Sequence, residues 1–198
     1  MTDKLVNNIE EIPLSGDDLL AIAKCLNVTR VKWMLYDDLE KFKSVDELFG
    51  NEYDSVYILL QVKDPDTGTA SVGHWVCFMY HRDFEEYYYF DPYGLTITED
   101  LSLTHEPDFI LQITKGVNVQ ENNIRHQVMR SDINTCGRHC VVRSVFFHLN
   151  NDLYNKLVIQ PIVPIPIKTA DVLVALFTGL ASESDAHLIQ FYNKKEKQ

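Results

Sequence analysis

The sequence predicts an α+β fold, a mixed and mostly antiparallel sheet packed on a central helix, and two observations carry that prediction. Between Ser55 and Asp91 three β-branched and aromatic runs follow one another, separated by short polar or turn-rich stretches, which is the pattern of consecutive strands. From Cys136 the run CGRHCVVRSVFFHLN places apolar residues at 140, 141, 142, 145, 146 and 149. That stripe is wide enough for a helix buried against a sheet over much of its circumference.

The elements read in order as follows. Ser15, Asp17 and Asp18 precede LLAIAKCL, so a side-chain oxygen can accept the orphan amide hydrogens of a helix over 16–27 while acids favour its first turn. Val45, Leu48 and Phe49 have helical spacing and Gly50 stops them, giving a short helix over 44–49. SVYILLQVK from Ser55 is a strand running into the turn-rich Asp64-Pro65-Asp66-Thr67-Gly68. Strands follow at 73–81 and 86–91, and Phe109–Ile113 reads as another. Residues 115–135 are polar and irregular, a length that usually marks a functional loop. QPIVPIPIK over 160–168 holds three prolines and must be extended, before a helix over 169–180. No repeat or linker interrupts the chain, so residues 1–198 are expected to form one domain.

Composition excludes several classes. With 45% hydrophobic and 24% charged residues, nothing points to disorder or a fibrous repeat. A net charge of −11, from 29 acids against 18 Lys and Arg, repels nucleic acid and anionic membrane, and no apolar run reaches membrane-spanning length. Four cysteines without an apolar leader in MTDKLVNN predict a reducing compartment and free thiols. Cys77 is expected to be buried on the sheet face opposite His74.

Three segments carry residue types suited to thiol catalysis, which needs a sulfur that ionises near neutral pH, a base within reach, and a group fixing the base's tautomer. Cys136 stands at the start of the buried helix after Asn134 and Thr135, where the helix dipole and free amides favour a thiolate and can hold an oxyanion. His74 lies near a strand start and Asp91 at a strand end before Pro92-Tyr93-Gly94, so neighbouring strands would set imidazole and carboxylate side by side. A zinc site from His74, Cys136, His139 and Cys140 is the competing reading. Because Cys140 opens the apolar stripe and fits the core, no metal is predicted.

Gly73-His74-Trp75, Phe90-Asp91-Pro92-Tyr93-Gly94 and Thr135-Cys136-Gly137-Arg138-His139-Cys140, in the order His, acid, Cys, resemble the adenovirus-type maturation proteases and the related SUMO-deconjugating proteases. The likeness runs over about residues 70–150, with 17 residues between His74 and Asp91. In the form FDPYG with CGRHC it looks most like the capsid-maturation proteases of virophages, large DNA viruses and related transposons. The resemblance implies a papain-like cysteine protease with the triad His74, Asp91 and Cys136 and no cofactor. It implies that Trp75 lines a narrow tunnel favouring small residues such as Gly-Gly before the cut. The group places an oxyanion-stabilising glutamine six or seven residues before the nucleophile, where this chain has Arg130 and Met129, so the role is assigned to Gln127, nine residues before Cys136. The expected partner is a protein substrate, a capsid precursor or other virion protein, with room for an activating peptide and no call for nucleic acid or membrane. The setting implied is the viral factory of the host cytoplasm and the virion. The alternatives are a protease for ubiquitin or its relatives, and a catalytically silent interaction module.

Overall fold

The computed structural model describes residues 9–63, 69–160 and 169–182. Helix α1 (Gly16–Cys25) leads to strand β1 (Val31–Leu35), a 3-10 helix (Tyr36–Lys41) and the short helix α2 (Val45–Phe49). Strands β2 (Ser55–Lys63), β3 (Ala70–His81) and β4 (Glu86–Phe90) follow, then α3 (Ile97–Thr104), α4 (Phe109–Ile113) and β5 (Val119–Glu121). Helix α5 (Cys136–Val145), the helical turn α6 (Asn151–Tyr154) with a π-helical extension (Asn155–Ile159), and α7 (Ala170–Ser182) complete it.

The α+β architecture is as predicted: a five-stranded mixed sheet in the order β1-β2-β3-β4-β5. Its inner pairs, β2 with β3 and β3 with β4, are antiparallel, and the outer pairs, β1 with β2 and β4 with β5, are parallel. Both faces are covered, which is why β2 is continuously apolar from Val56 to Leu60 instead of alternating with polar residues. Val56, Ile58, Val76, Phe78 and Tyr89 face a core closed by Tyr36, Leu48, Phe49, Ile97 and Ile110. Tyr57, Trp75, Cys77, Tyr88 and Phe90 face the other, closed by Leu19 and Ile22 of α1 and Cys140 and Val141 of α5.

Helix α1 carries the expected cap: Ser15 Oγ accepts from the Asp18 amide, and the Asp18 carboxylate accepts from the Ser15 amide. Phe109–Ile113, predicted as a strand, is a helix instead. Its apolar run is too short to decide by periodicity, and tertiary contacts decide it. Ile110 and Ile113 are buried together, and the Tyr36 hydroxyl accepts from the Ile110 amide at 3.1 Å while donating to the Pro107 carbonyl at 2.7 Å. The sheet's last strand is β5, three residues inside the stretch predicted as loop, held by its pairing with Tyr87–Tyr89. The predicted Asp64–Gly68 turn and most of the extended 160–168 segment lie outside the described residues.

Candidate active site

The pairing of β3 with β4 ends at Cys77 and Phe90, so the part of β3 carrying His74 overshoots the end of β4. Asp91, the first residue after β4, therefore meets it. His74 Nε2 and Asp91 Oδ1 share a short hydrogen bond, with the Asp91 side chain fully buried and that of His74 13% exposed. This leaves Nδ1 as the ring nitrogen for a further partner, and Cys136 is that partner in the hydrogen bonding of the imidazole. Tyr93 stacks on the ring with centroids 4.6 Å apart and planes at 16°.

The FDPYG motif builds the acid's seat. The Gly94 amide closes a turn on the Asp91 carbonyl at 2.9 Å, and Gly94 has φ +75 with the Ile124 backbone against it, so a side chain there would be strained and would clash. The turn delivers the Tyr93 and Leu95 amides to the Asp91 carboxylate at 3.1 and 2.8 Å. Asn122, just past β5, grips the same residue by its backbone: Oδ1 accepts from the Asp91 amide and Nδ2 donates to its carbonyl, both at 2.7 Å. Behind Asp91 lies buried Asp100, which accepts from the Tyr89 hydroxyl at 2.7 Å. Burial and the Asp91 charge push Asp100 up to about 7.

The Cys136 thiol and the His74 imidazole are tuned toward an ion pair. Burial alone would raise the Cys136 thiol and lower the His74 imidazolium. At Cys136 that is outweighed by the hydrogen bond and charge of His74 and by the Trp75 and Gly137 backbone amides, and the thiol is lowered. At His74 it is outweighed by Asp91 and Cys136, which push the imidazole up to about 10. Thiolate and imidazolium coexist above the lowered thiol value and below the raised imidazole value. Alkylation of Cys136 by iodoacetamide is thus expected to remain fast well below the ordinary thiol range. Hydrolytic activity should follow a bell whose acid limb reports the thiolate and whose alkaline limb falls near pH 10. A rate profile rising only at the pH of an ordinary thiol would contradict the ion pair. At Cys77 burial outweighs the Ser144 hydroxyl and Arg143 and raises the thiol to about 12, burial holds Cys140 well above its ordinary value, and Cys25 is exposed.

A cavity of about 350 Å³ opens on Cys136, walled by Leu14, Gly16, Trp33, Leu59, Trp75 and Asn134 among others. Trp75 is buried in this wall, its indole N–H donated to the Leu14 carbonyl at 3.0 Å. Trp33 was not anticipated. It meets Trp75 edge-to-face with centroids 6.1 Å apart and donates to Asp17 at 3.1 Å. An added Cβ on Gly16 would lie 2.2 Å from the Trp33 ring, so Gly16→Ala must displace the indole. The substitution is expected to cost about 1–3 kcal/mol in urea unfolding and to raise KM more than it lowers kcat.

His74, Asp91, Cys136 and Trp75 are thus brought together, while Gln127 occupies a different place. It is buried in the loop before Cys136, donates Nε2 to the Ile133 carbonyl at 3.3 Å, and is absent from the cavity wall. The members of the competing zinc set diverge: Cys140 Sγ donates to the Trp75 carbonyl and His139 bonds Asp171. Among the described residues, His74, Asp91 and Asp100 gather their ligand atoms within 4.8 Å of one another. Within this trio the His74 imidazole and the Asp91 carboxylate bond each other directly, and Asp100 is held by the Tyr89 hydroxyl. Asn122, Asp100 and Trp33 had no local signal, since each acts through a partner distant in sequence.

No family model matches the chain. It is 26% identical over 181 residues to Uncharacterized protein V9 of Sputnik virophage, covering 85% of this chain and 95% of that protein. Among solved structures it is similar to the ASFV pS273R protease, at 17% identity and TM-score 0.44 over 87% of this chain and 68% of that one. It is also similar to the SUMO protease Ulp1 with its catalytic cysteine oxidized to a sulfinic acid, at 10% identity and TM-score 0.43, covering 91% and 83%. The central domain of the uncharacterized Lpg1148 protein from Legionella pneumophila gives 14% identity and TM-score 0.38 over 93% and 97%. Likeness at this level assigns no chemistry, which follows from the side chains themselves.

Proposed function

We propose that the chain is a cysteine endopeptidase that cleaves viral structural precursors after small residues such as Gly-Gly. The observation that carries this reading is the continuous relay from Cys136 through His74 to Asp91 at the mouth of a cavity walled by two indoles. The Cys136 thiolate attacks the scissile carbonyl, forming a C–S bond and an oxyanion. Imidazolium His74 then gives its proton to the leaving nitrogen as the C–N bond breaks. Water, deprotonated by His74, attacks the thioester and releases the acyl group with regeneration of the thiol. Backbone amides at the start of α5 hold the oxyanion in this scheme.

Trp33 and Trp75 pack edge-to-face and together wall the cavity that opens on Cys136, and bulky aromatic rings beside the thiol support cleavage after glycine. Similarity to a virophage protein along 95% of its length supports the viral setting, in the host cytoplasm and the virion. The test is to assay the purified protein side by side on capsid precursors bearing Gly-Gly junctions and on ubiquitin-like fusions. Cleavage of the precursors, lost when the glycines are replaced by valine, is expected. Exclusive cleavage of the modifier fusions would replace this reading with deconjugation, and cleavage of neither would leave a silent module.

A further inference from the structure

Ser15, Ser44, Thr96 and Asn150 each precede a helix, each with extended backbone, ψ between 162 and 169, and each side chain accepts an amide hydrogen from the first turn. Thr135, which precedes α5, does neither. Its ψ is 0, its side chain caps nothing, and its hydroxyl donates instead to Asp171 Oδ1 in a short hydrogen bond. Asp171, fully buried on α7, also accepts from His139 Nε2 of α5 at 3.0 Å and, through Oδ2, from the Val128 amide of the preceding loop at 2.9 Å.

An N-cap hydroxyl accepts from the amides two and three places on, which here belong to Gly137 and Arg138. The Gly137 amide is one of the two that bond the Cys136 sulfur. A capping Thr135 would therefore compete with the nucleophile for the same hydrogen. We propose that Asp171 is a positioning residue that holds the Thr135 hydroxyl away from its own helix, leaving the first-turn amides to the Cys136 sulfur. The inference rests on the reading of Cys136 as nucleophile.

The sign of the effect separates this role from simple electrostatics. Removing a buried anion would by itself ease ionisation of a nearby thiol. Releasing Thr135 to cap the helix does the opposite. The titratable groups that share this environment are His74, Tyr93 and Cys140 toward Cys136, and His139, His126, Glu10 and Tyr93 toward Asp171. All are retained below, and because the single and double variants both lack Asp171, its loss acts on His139, His126, Glu10 and Tyr93 in both, so their difference reports Thr135.

The test is the pH dependence of iodoacetamide labelling at Cys136, read by peptide mass spectrometry in the wild type, Asp171→Ala and Asp171→Ala with Thr135→Val. Near pH 6, Asp171→Ala should label about tenfold more slowly, a displacement of the profile by about one pH unit. Valine fills the place of threonine without a hydroxyl, so the double variant should recover most of that loss. A scaffold role alone would lower the melting temperature of both variants and leave the profiles of the folded proteins alike. If Asp171→Ala does not fold by circular dichroism, Asp171→Asn keeps the volume, weakens the acceptor and is judged by the same comparison. An unshifted profile in the single variant, or no recovery in the double one, overturns the role of Asp171. Absence of low-pH labelling in the wild type overturns the reading of Cys136 and this inference together.

Discussion

Cys136→Ala is expected to abolish peptide cleavage, with a loss of about 10⁴-fold or more, the scale seen when a covalent nucleophile is removed. The same substitution should delete the labelling phase that persists at low pH. What remains should be labelling at the exposed Cys25, because Cys77 and Cys140 are buried and resist ionisation. Cys136 is only partly buried and alanine fills the helix start well, so unfolding in urea should change by about 1 kcal/mol or less. Cleavage that survives the substitution would move the nucleophile elsewhere.

His74→Ala carries the next largest effect and, unlike the first, should be felt in stability as well. Loss of the general base is worth about 10²–10⁴-fold in rate, and labelling of Cys136 should shift toward the pH of an ordinary thiol as the imidazolium disappears. The substitution also strands Asp91, whose side chain has no exposure. Removing one member of a buried pair costs about 3–5 kcal/mol, although the Tyr93 and Leu95 amides still serve the carboxylate and hold the loss toward the lower end. Adding Asp91→Asn to His74→Ala removes the stranded charge and should restore part of the stability but none of the activity. Urea titration of the single and double variants measures the difference. A double variant no more stable than the single would place the cost elsewhere.

The meeting of His74, Asp91 and Cys136 was legible because the motifs around them contain their own local geometry. Pro92 and Gly94 specify a turn that returns amides to Asp91, and Thr135-Cys136 opens a helix whose apolar stripe is plain in sequence. The supports were not legible. Asn122 reaches Asp91 across 31 positions, Tyr89 ties Asp100 into the cluster, and Asp171 bonds Thr135 across 36. A single asparagine or aspartate reads as an ordinary polar residue until the fold gives it a partner. Among the elements, the long runs of β2 to β4 and the α5 stripe were clear. A five-residue apolar segment at 109–113 and a three-residue strand at 119–121 are decided by what they pack against, and local pattern holds too little information to choose. Thr135 illustrates the same limit at one residue, since its type promised a cap and its tertiary partner took the hydroxyl.

The bond from Trp75 to the Leu14 carbonyl joins the sheet to the segment entering α1, and Asn134 adds two more links by donating its amide and side chain to the Glu10 and Glu11 carbonyls. Both sides of the entrance to Cys136 are therefore fastened before any peptide arrives. On the function proposed above, an entrance tethered in this way suits a single extended chain better than a hairpin or helix, whose backbone is already paired and broader. If precursors are the substrates, as proposed, the choice of where one is cut would lie partly with the precursor: a permitted sequence inside a folded domain would be shielded, and the same sequence in a slack linker would not. Maturation by such a protease would trim connections between domains and spare the domains themselves, without any need to recognise them.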